Sequence, residues 1–186
     1  AFAEAGEFNA DAAKYQAQIA ASHAGLAAGA NNVGGLQTHA EHTINILNGT
    51  TVDYNNNGRG ENPGRGFGLE YFLGEIERRL DGAAQEPGVG PVMQGQMELI
   101  RVCIANTRQR KDGIVELERQ LLAAPDLESV AAQRTQSTTL ALALIEGTDL
   151  NGNGTVDPFE GECGLNQIAT FGLAVASMGL NQGAPG

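Results

Sequence analysis

The chain has little aromatic mass. Only 5% of its 186 residues are aromatic, and tryptophan is absent. Alanine, leucine and isoleucine supply most of the apolar residues, and alanine and leucine are among the best helix formers. Strands favour aromatic and β-branched residues, so this composition favours helices over a β-sandwich. We expect an all-α helical bundle.

Basic residues are also scarce. The chain has 11 lysines and arginines against 22 acidic residues, and its net charge is −11. Nucleic-acid binding needs basic side chains that neutralise phosphates, and anionic membrane surfaces attract basic segments. The sequence also lacks a phosphate-binding loop and a dinucleotide-binding fingerprint. We therefore expect neither nucleic acid nor an anionic membrane as a partner.

Long hydrophobic runs are missing as well. The most apolar segment, residues 165–180, has no charge but is too short and too rich in Gly, Ser and Asn to span a bilayer. We expect it to form a buried core helix. The chain opens with Ala-Phe-Ala-Glu, without a methionine or a basic leader, which is typical of a processed mature protein or a trimmed chain.

The chain contains two cysteines, too few for a metal site of their own. Cys103 falls within a predicted helix, and Cys163 follows an oxygen-rich segment near the carboxyl end. A disulfide between them would close about 60 residues and contribute on the order of 4 kcal/mol. The alternative is two separate buried thiols. We predict the disulfide, and with it a location outside the cytoplasm, where such bonds persist.

Residues 149–160 place oxygen-bearing groups at alternate positions around a glycine. The segment reads DLNGNGTVDPFE. It resembles the twelve-residue calcium loop of EF-hand proteins, whose sharp turn requires glycine at the position of Gly154. The resemblance implies binding through the carbonyl of Thr155 and both carboxylate oxygens of Glu160. The implied calcium ligands are Asp149, Asn151, Asn153, Thr155, Asp157 and Glu160.

The same pattern occurs earlier in the chain. Residues 46–69 align with residues 144–165 when two extra residues are allowed, so that Gly49 matches Gly147. This self-similarity predicts an internal duplication of a helix–loop–helix unit. The last loop position of the first copy is Gly64 rather than an acid, so we expect weaker calcium binding, or a relic turn held by asparagine side chains. Its candidate ligands are Asp53, Asn55, Asn57, Arg59 and Glu61.

Apolar periodicity predicts about six helices in two halves. The halves are residues 1–86, with the degenerate loop, and residues 92–186, with the full loop, separated by a Pro- and Gly-rich break. We expect one compact domain with both loops at the same end, and a short strand bridge between the loops near Gly60 and Val156. The predicted helices are residues 8–29, 35–48, 67–83, 92–123, 127–147 and 163–180.

The chain has three histidines. His39 and His42 are three residues apart and share one helix face, and His23 is level with His39 if the preceding hairpin turns near Asn31. Three neutral imidazoles suit zinc, copper, nickel or iron. Alternatively, two of them bind a haem from opposite sides, or all three are ordinary core and surface residues. Glu41 lies on another face, so orienting a ligand is the most we expect of it.

Two function classes follow. The first is an extracytoplasmic metal or haem carrier, or an electron-transfer module, built around the three histidines. The second is a structural or assembly module that binds calcium only and packs against copies of itself or other subunits. An enzyme is less favoured because no general acid or base stands out near the histidines. Calcium is expected to act structurally, since an ion that binds only the folded state at a hundredfold excess over its Kd stabilises that state by about 2.7 kcal/mol.

Overall fold

The computed structural model of the protein describes the backbone of residues 2–182 and the side chains of residues 9–178. Within these residues the chain forms six α-helices and no strand, which confirms the all-α prediction. The bridge predicted near Gly60 and Val156 is absent from this part of the chain. Residues 1 and 183–186, the ends of the two predicted halves, lie outside the described residues. The helices are α1 (Phe2–Ala28), α2 (Val33–Asn48), α3 (Leu69–Ala84), α4 (Pro91–Leu122), α5 (Ala131–Glu146) and α6 (Leu165–Gln182).

Local signals set the ends of the helix that carries two of the histidines. Asn32 caps the start of α2, where its side-chain oxygen accepts a hydrogen bond from the Gly35 amide at 2.8 Å. Gly49 ends the helix in the left-handed conformation, with φ of 70°. A Cβ at Gly49 would lie 2.1 Å from the Gly68 nitrogen, so the returning chain also requires glycine there.

One hydrophobic cluster runs through both predicted halves of the chain. The stripe of Ala13, Ala17, Ala20 and Ala24 is almost fully buried and allows other helices to approach α1 closely. Helix α1 packs against α2 and α3, just as α4 packs against α5 and α6, and α1–α5 and α2–α4 contacts join the two groups. The halves therefore share their core, and α1 lies at its centre.

A smaller cluster supports the α1–α2 turn. Ala27 of α1 and Leu36 of α2 are fully buried there, and Leu121 of α4 packs with them. This cluster fixes the end of the hairpin against the long helix α4. The spacing of α1 and α2 near the histidines is thereby determined by apolar packing.

Helix α6 contributes Leu165, Ile168 and Val175 to the core, but it is not buried along its whole length as predicted, because its other face includes Leu173, which is 52% exposed. Among the residues that the structure describes, no helix combines the length and apolar character needed to cross a bilayer. Two loops complete the fold: the first loop (residues 49–68) joins α2 to α3, and the second loop (residues 147–164) joins α5 to α6.

Candidate metal centre

The three histidines meet between α1 and α2. The Nδ1 atom of His23 lies 3.1 Å from Nδ1 of His39 and 3.3 Å from Nδ1 of His42. The centroids of the rings are 4.9 to 5.8 Å apart. One candidate ligand atom from each histidine falls within 4.8 Å of the other two. The predicted convergence of the three imidazoles is confirmed.

Small side chains allow the imidazoles to meet. Ala24 follows His23 on α1 and Ala40 follows His39 on α2, and both alanines are buried between the helices. The turn around Asn31 and Asn32 places His23 level with the α2 histidines. The histidine cluster is therefore a product of one tight helical hairpin.

The cluster favours uncharged imidazoles. Burial, and after it the neighbouring His42 and His39, lower the pKa of His23 to about 4. Burial and then His42 also lower the pKa of His39. Both rings are neutral at pH 7 and hold a lone pair for a metal. The single Nδ1 of His23 faces two other nitrogens, and in either tautomer it offers one N–H or one lone pair to share between them. A cation between the rings would give each nitrogen a partner.

The nitrogen separations suit one metal ion. Two nitrogens at about 2.0–2.1 Å from a tetrahedral zinc ion lie about 3.3 Å from each other. Two of the three nitrogen separations, 3.1 Å and 3.3 Å, are close to this value, and candidate ligand atoms of all three histidines lie within 4.8 Å of one another. The three imidazoles are therefore able to hold one ion with small side-chain adjustments, leaving further coordination positions for water or another ligand.

A carboxylate lies against the outer side of the cluster. The Oε2 atom of Glu61 is 3.2 Å from Nε2 of His42, the ring nitrogen that faces away from His23. The His42 side chain is only 12% exposed, whereas that of Glu61 is 52% exposed. A carboxylate that accepts a hydrogen bond from the far nitrogen of a ligating histidine is the common outer partner of a metal site.

A cleft of about 320 Å³ opens beside this contact, lined by His42, Glu61, Asn62 and Pro63. The Asn62 amide is fully occupied, because its nitrogen donates to the carbonyls of Asn45 and Thr50 and its oxygen accepts from the Gly64 amide. Among the described residues that line the cleft, Glu61 supplies the one carboxylate. The cleft gives access to the site from the side of the contact between His42 and Glu61.

The second loop brings most of its predicted ligands together. The Asp157 carboxylate accepts hydrogen bonds from Asn153 at 2.7 Å, from Thr155 at 3.1 Å and from Asn151 at 3.4 Å. The first two of these bonds are the main reason why the pKa of Asp157 is lowered. The carboxylate is thus ionised at neutral pH, and it faces the other oxygen-bearing side chains.

Asp149 organises the turn of the second loop. Its carboxylate accepts from the amides of Gly152 and Asn153 through Oδ1 and from that of Gly154 through Oδ2. Glu160, the predicted two-oxygen ligand, is exposed and takes no part in the hydrogen bonds described for this loop. The geometry thus links four of the six predicted groups, the side chains of Asp149, Asn151, Asn153 and Asp157, together with the hydroxyl of Thr155. Calcium binding by the loop stays a prediction.

The first loop has the same turn with a different end. The Asp53 carboxylate accepts from the amides of Asn57 and Gly58, as Asp149 does in the second loop. The Asn57 side chain accepts from the Arg59 amide at 2.8 Å, and that of Asn55 accepts from the Asn57 amide. Four of the predicted groups therefore surround one turn, while the Glu61 side chain lies against His42.

Sequence reasoning missed two buried acids that support the loops. Glu41 is 1% exposed, and its carboxylate accepts from the amides of Tyr54, Asn55 and Glu61. Glu162 is 3% exposed and accepts from the amides of Asn151 and Asp157. The available signal was an acid next to apolar positions, as in Ala40-Glu41 and Glu162-Cys163.

The second loop is bound covalently to α4. Cys103 and Cys163 form a disulfide, with their Cα atoms 5.1 Å apart, which confirms that prediction. Asn106, one turn further along α4, donates to the Phe159 carbonyl at 2.7 Å. The buried Arg110 donates to the carbonyls of Gly161, Glu162 and Cys163. The loop exit is thus fixed to one face of α4.

Comparisons with protein-family models, curated proteins and solved structures found no match to this chain. The resemblance of residues 149–160 to an EF-hand loop therefore stays a resemblance of one segment. Function has to be argued from the histidine cluster and the loops.

Proposed function

We propose that this protein is a carrier of a transition-metal ion, or an electron-transfer module, and that His23, His39 and His42 bind the ion. The observation that carries the proposal is the approach of three Nδ1 atoms, with His23 at 3.1 Å and 3.3 Å from the other two. Neutral imidazoles suit both Zn²⁺ and Cu²⁺, and Cu²⁺ is the first-row divalent ion that such ligands bind most tightly. An ion would also give each nitrogen its own partner.

The spacing favours a metal ion over haem. A haem with two axial histidines needs the two nitrogens on opposite faces of a flat macrocycle, about 4 Å apart for Fe–N bonds of about 2 Å. Here the rings lie within 5.8 Å of one another, centroid to centroid, and occupy the space that a macrocycle would need. Haem binding would require the α1–α2 hairpin to open.

The surroundings favour binding over catalysis. In the described lining of the cleft, Glu61 is the one carboxylate, and it already contacts His42. The Asn62 amide is committed to backbone groups. The carboxylate nearest the imidazoles is thus already paired with His42, and the cleft beside it gives access from solvent. This arrangement suits uptake and release of an ion, or of an electron if the metal is copper or iron.

Calcium has a structural role in this proposal. The second loop binds it through Asp149, Asn151, Asn153, Thr155, Asp157 and Glu160, and the first loop binds it more weakly or not at all. The two loop-bearing halves are EF-hand-like and arose by duplication, which the matching helix pairs α1–α2 and α4–α5 support. Binding to the folded state alone raises the free energy of unfolding.

The proposed location is outside the cytoplasm. A fully buried disulfide and the lack of a membrane-spanning helix in the described residues are compatible with it. Disulfides are stable in secreted and periplasmic proteins and are rare where thiols are kept reduced. Calcium concentrations are also high enough there to fill a weak extracellular-type loop.

The test is metal loading of the purified protein. The wild type, a variant with all three histidines replaced by glutamine, and the control Gln18→Ala on the exposed face of α1 are each incubated with Cu²⁺ or Zn²⁺, desalted and analysed for metal. We expect one ion per chain in the wild type and the control, and none in the triple variant. Far-ultraviolet circular dichroism checks that all three are folded.

Equal metal content in the wild type and the triple variant would contradict the proposal and favour the structural module that binds calcium only. Titration with haem decides the remaining alternative. A Soret band that appears with the wild type and is lost in the triple variant would favour haem over the ion.

A further inference from the structure

We propose that the first loop holds Glu61 against His42 and thereby sets the metal affinity of the histidine centre. The inference rests on the proposed function, since it concerns the same site. It makes Glu61 a positioning residue that acts through His42. This role explains why the first loop keeps its turn although its last position, Gly64, carries no carboxylate.

The Glu61 side chain leaves the loop to which its sequence position assigns it. The corresponding residue of the second loop is Asp157, whose carboxylate turns inward to Asn153 at 2.7 Å. Glu61 is one methylene longer, and its carboxylate lies 3.2 Å from Nε2 of His42. The two loops therefore use the same position for different purposes.

Helix α2 holds the backbone of Glu61 from two sides. The amide of Glu61 donates to Oε1 of Glu41 at 3.3 Å, and its carbonyl accepts from Nδ2 of Asn45 at 3.0 Å. Both partners are buried, at 1% and 0% exposure. They lie on the same helix as His42, so the carboxylate and the imidazole are positioned by one rigid element.

The carboxylate has a defined chemical effect on His42. By accepting the Nε2 proton, Glu61 selects the tautomer whose lone pair is on Nδ1, the nitrogen that faces His23. It also makes that nitrogen a better donor to a metal. Removing such an outer partner typically weakens metal binding by about 10- to 100-fold. Because Glu61 is half-exposed, the same contact contributes little to the stability of the metal-free fold.

The experiment measures Zn²⁺ affinity of the full-length protein by competition with a chromophoric chelator. For Glu61→Gln we expect about 10- to 100-fold weaker binding than wild type, with an unchanged melting temperature of the metal-free protein. Glu86→Gln, another exposed acid, removes the same charge away from the site and should bind as wild type does. With Co²⁺ as a probe, the d–d absorption of Glu61→Gln should differ from that of wild type, which a purely structural role would not produce.

A double-mutant cycle tests whether the first loop acts on metal binding through Glu61. Glu41→Gln should weaken Zn²⁺ binding, and the double variant of Glu41 and Glu61 should bind no more weakly than Glu61→Gln alone, because both act through one contact. Wild-type affinity in Glu61→Gln, together with loss of binding in the histidine variant, would overturn this inference and leave the proposed function standing. Absence of Zn²⁺ binding in the wild type would overturn both.

Discussion

Ser137 of α5 donates a 2.5 Å hydrogen bond to the buried carboxyl of Glu118 on α4. Ser137 lies ten residues before Gly147, as His39 lies ten residues before Gly49. By the same count, Leu140 takes the place of His42. At the positions of α5 that match His39 and His42, the second half thus has a hydroxyl and an apolar side chain, so we expect metal binding by the first half only.

Glu118 makes stability depend on pH. Burial raises its pKa to about 7, against the lowering effect of the Ser137 bond, and its Oε2 atom has no hydrogen-bond partner. The unfolded pKa is lower, so the folded state binds more protons between about pH 4.5 and 7. The contribution of Glu118 to the free energy of unfolding therefore falls as pH rises through this window, by at most about 1.4 kcal/mol per pH unit, whereas the lowered pKa of His23 acts in the opposite direction.

We predict that Glu118→Gln removes this contribution, so that the stability of the variant relative to wild type is highest at pH 8. Urea denaturation at pH 5, 6, 7 and 8 measures it. The control Glu116→Gln, an exposed acid on the same helix, should keep the wild-type profile. Parallel profiles for wild type and Glu118→Gln would show that the carboxyl does not titrate in this range.

Calcium removal is expected to destabilise the protein through the second loop. Addition of a chelator should lower the melting temperature, with a loss of about 2.7 kcal/mol from a hundredfold excess of calcium. Asp149→Ala should abolish the effect because Asp149 both organises the turn and supplies a ligand. Glu160→Ala should remove most of it, because the EF-hand resemblance assigns two ligand oxygens to that residue.

The matched change in the first loop, Asp53→Ala, should preserve most of the chelator effect. A melting curve that does not respond to the chelator in wild type would refute calcium binding by either loop.

Glu162 should matter even without calcium. Glutamine at this position keeps one acceptor and places an amide NH₂ group against a backbone amide, so we expect a loss of about 2 kcal/mol from hydrogen bonds to a charged group. Urea denaturation in the presence of a chelator measures this loss. The exposed neighbour Glu160, changed to glutamine, should have almost no effect under the same conditions, and equal losses for the two variants would argue against the assigned hydrogen bonds.

The disulfide leads to predictions about the mass and stability of the protein and about its Zn²⁺ affinity. Intact mass under non-reducing conditions should be two hydrogens lower than after reduction. Replacing Cys103 and Cys163 with serine should cost about 2–5 kcal/mol of stability. Zn²⁺ affinity should not change, because the histidine centre lies in the other half. Two freely alkylated thiols in the folded protein would contradict the bond.

Most of the fold follows from local patterns. Apolar periodicity and the glycine and proline breaks predicted all six helices, and the histidine cluster followed from a turn near Asn31 with equal spacing on either side. The start of α5 was predicted four residues early. There the Asp126 side chain accepts from the Ser129 amide, and this local turn delays the helix until Ala131.

The parts that were missed depend on contacts distant in sequence. Glu41 is buried because three amides of the first loop need an acceptor, and apolar periodicity along α2 does not encode them. The direction of the Glu61 side chain depends on where α2 places His42. A loop motif specifies which oxygens are present, whereas the surrounding helices decide which way each one points.

All three imidazoles and the carboxylate beside them come from residues 23–61, whereas the core that supports α1 includes α5 and α6. During synthesis, which starts at the amino end, the three histidines and Glu61 emerge before Cys163 has been added to the chain. An ion bound at that stage would hold the α1–α2 hairpin closed before α5 and α6 are available to pack against α1. Availability of the metal during biogenesis, rather than its later exchange, would then limit the yield of correctly assembled protein.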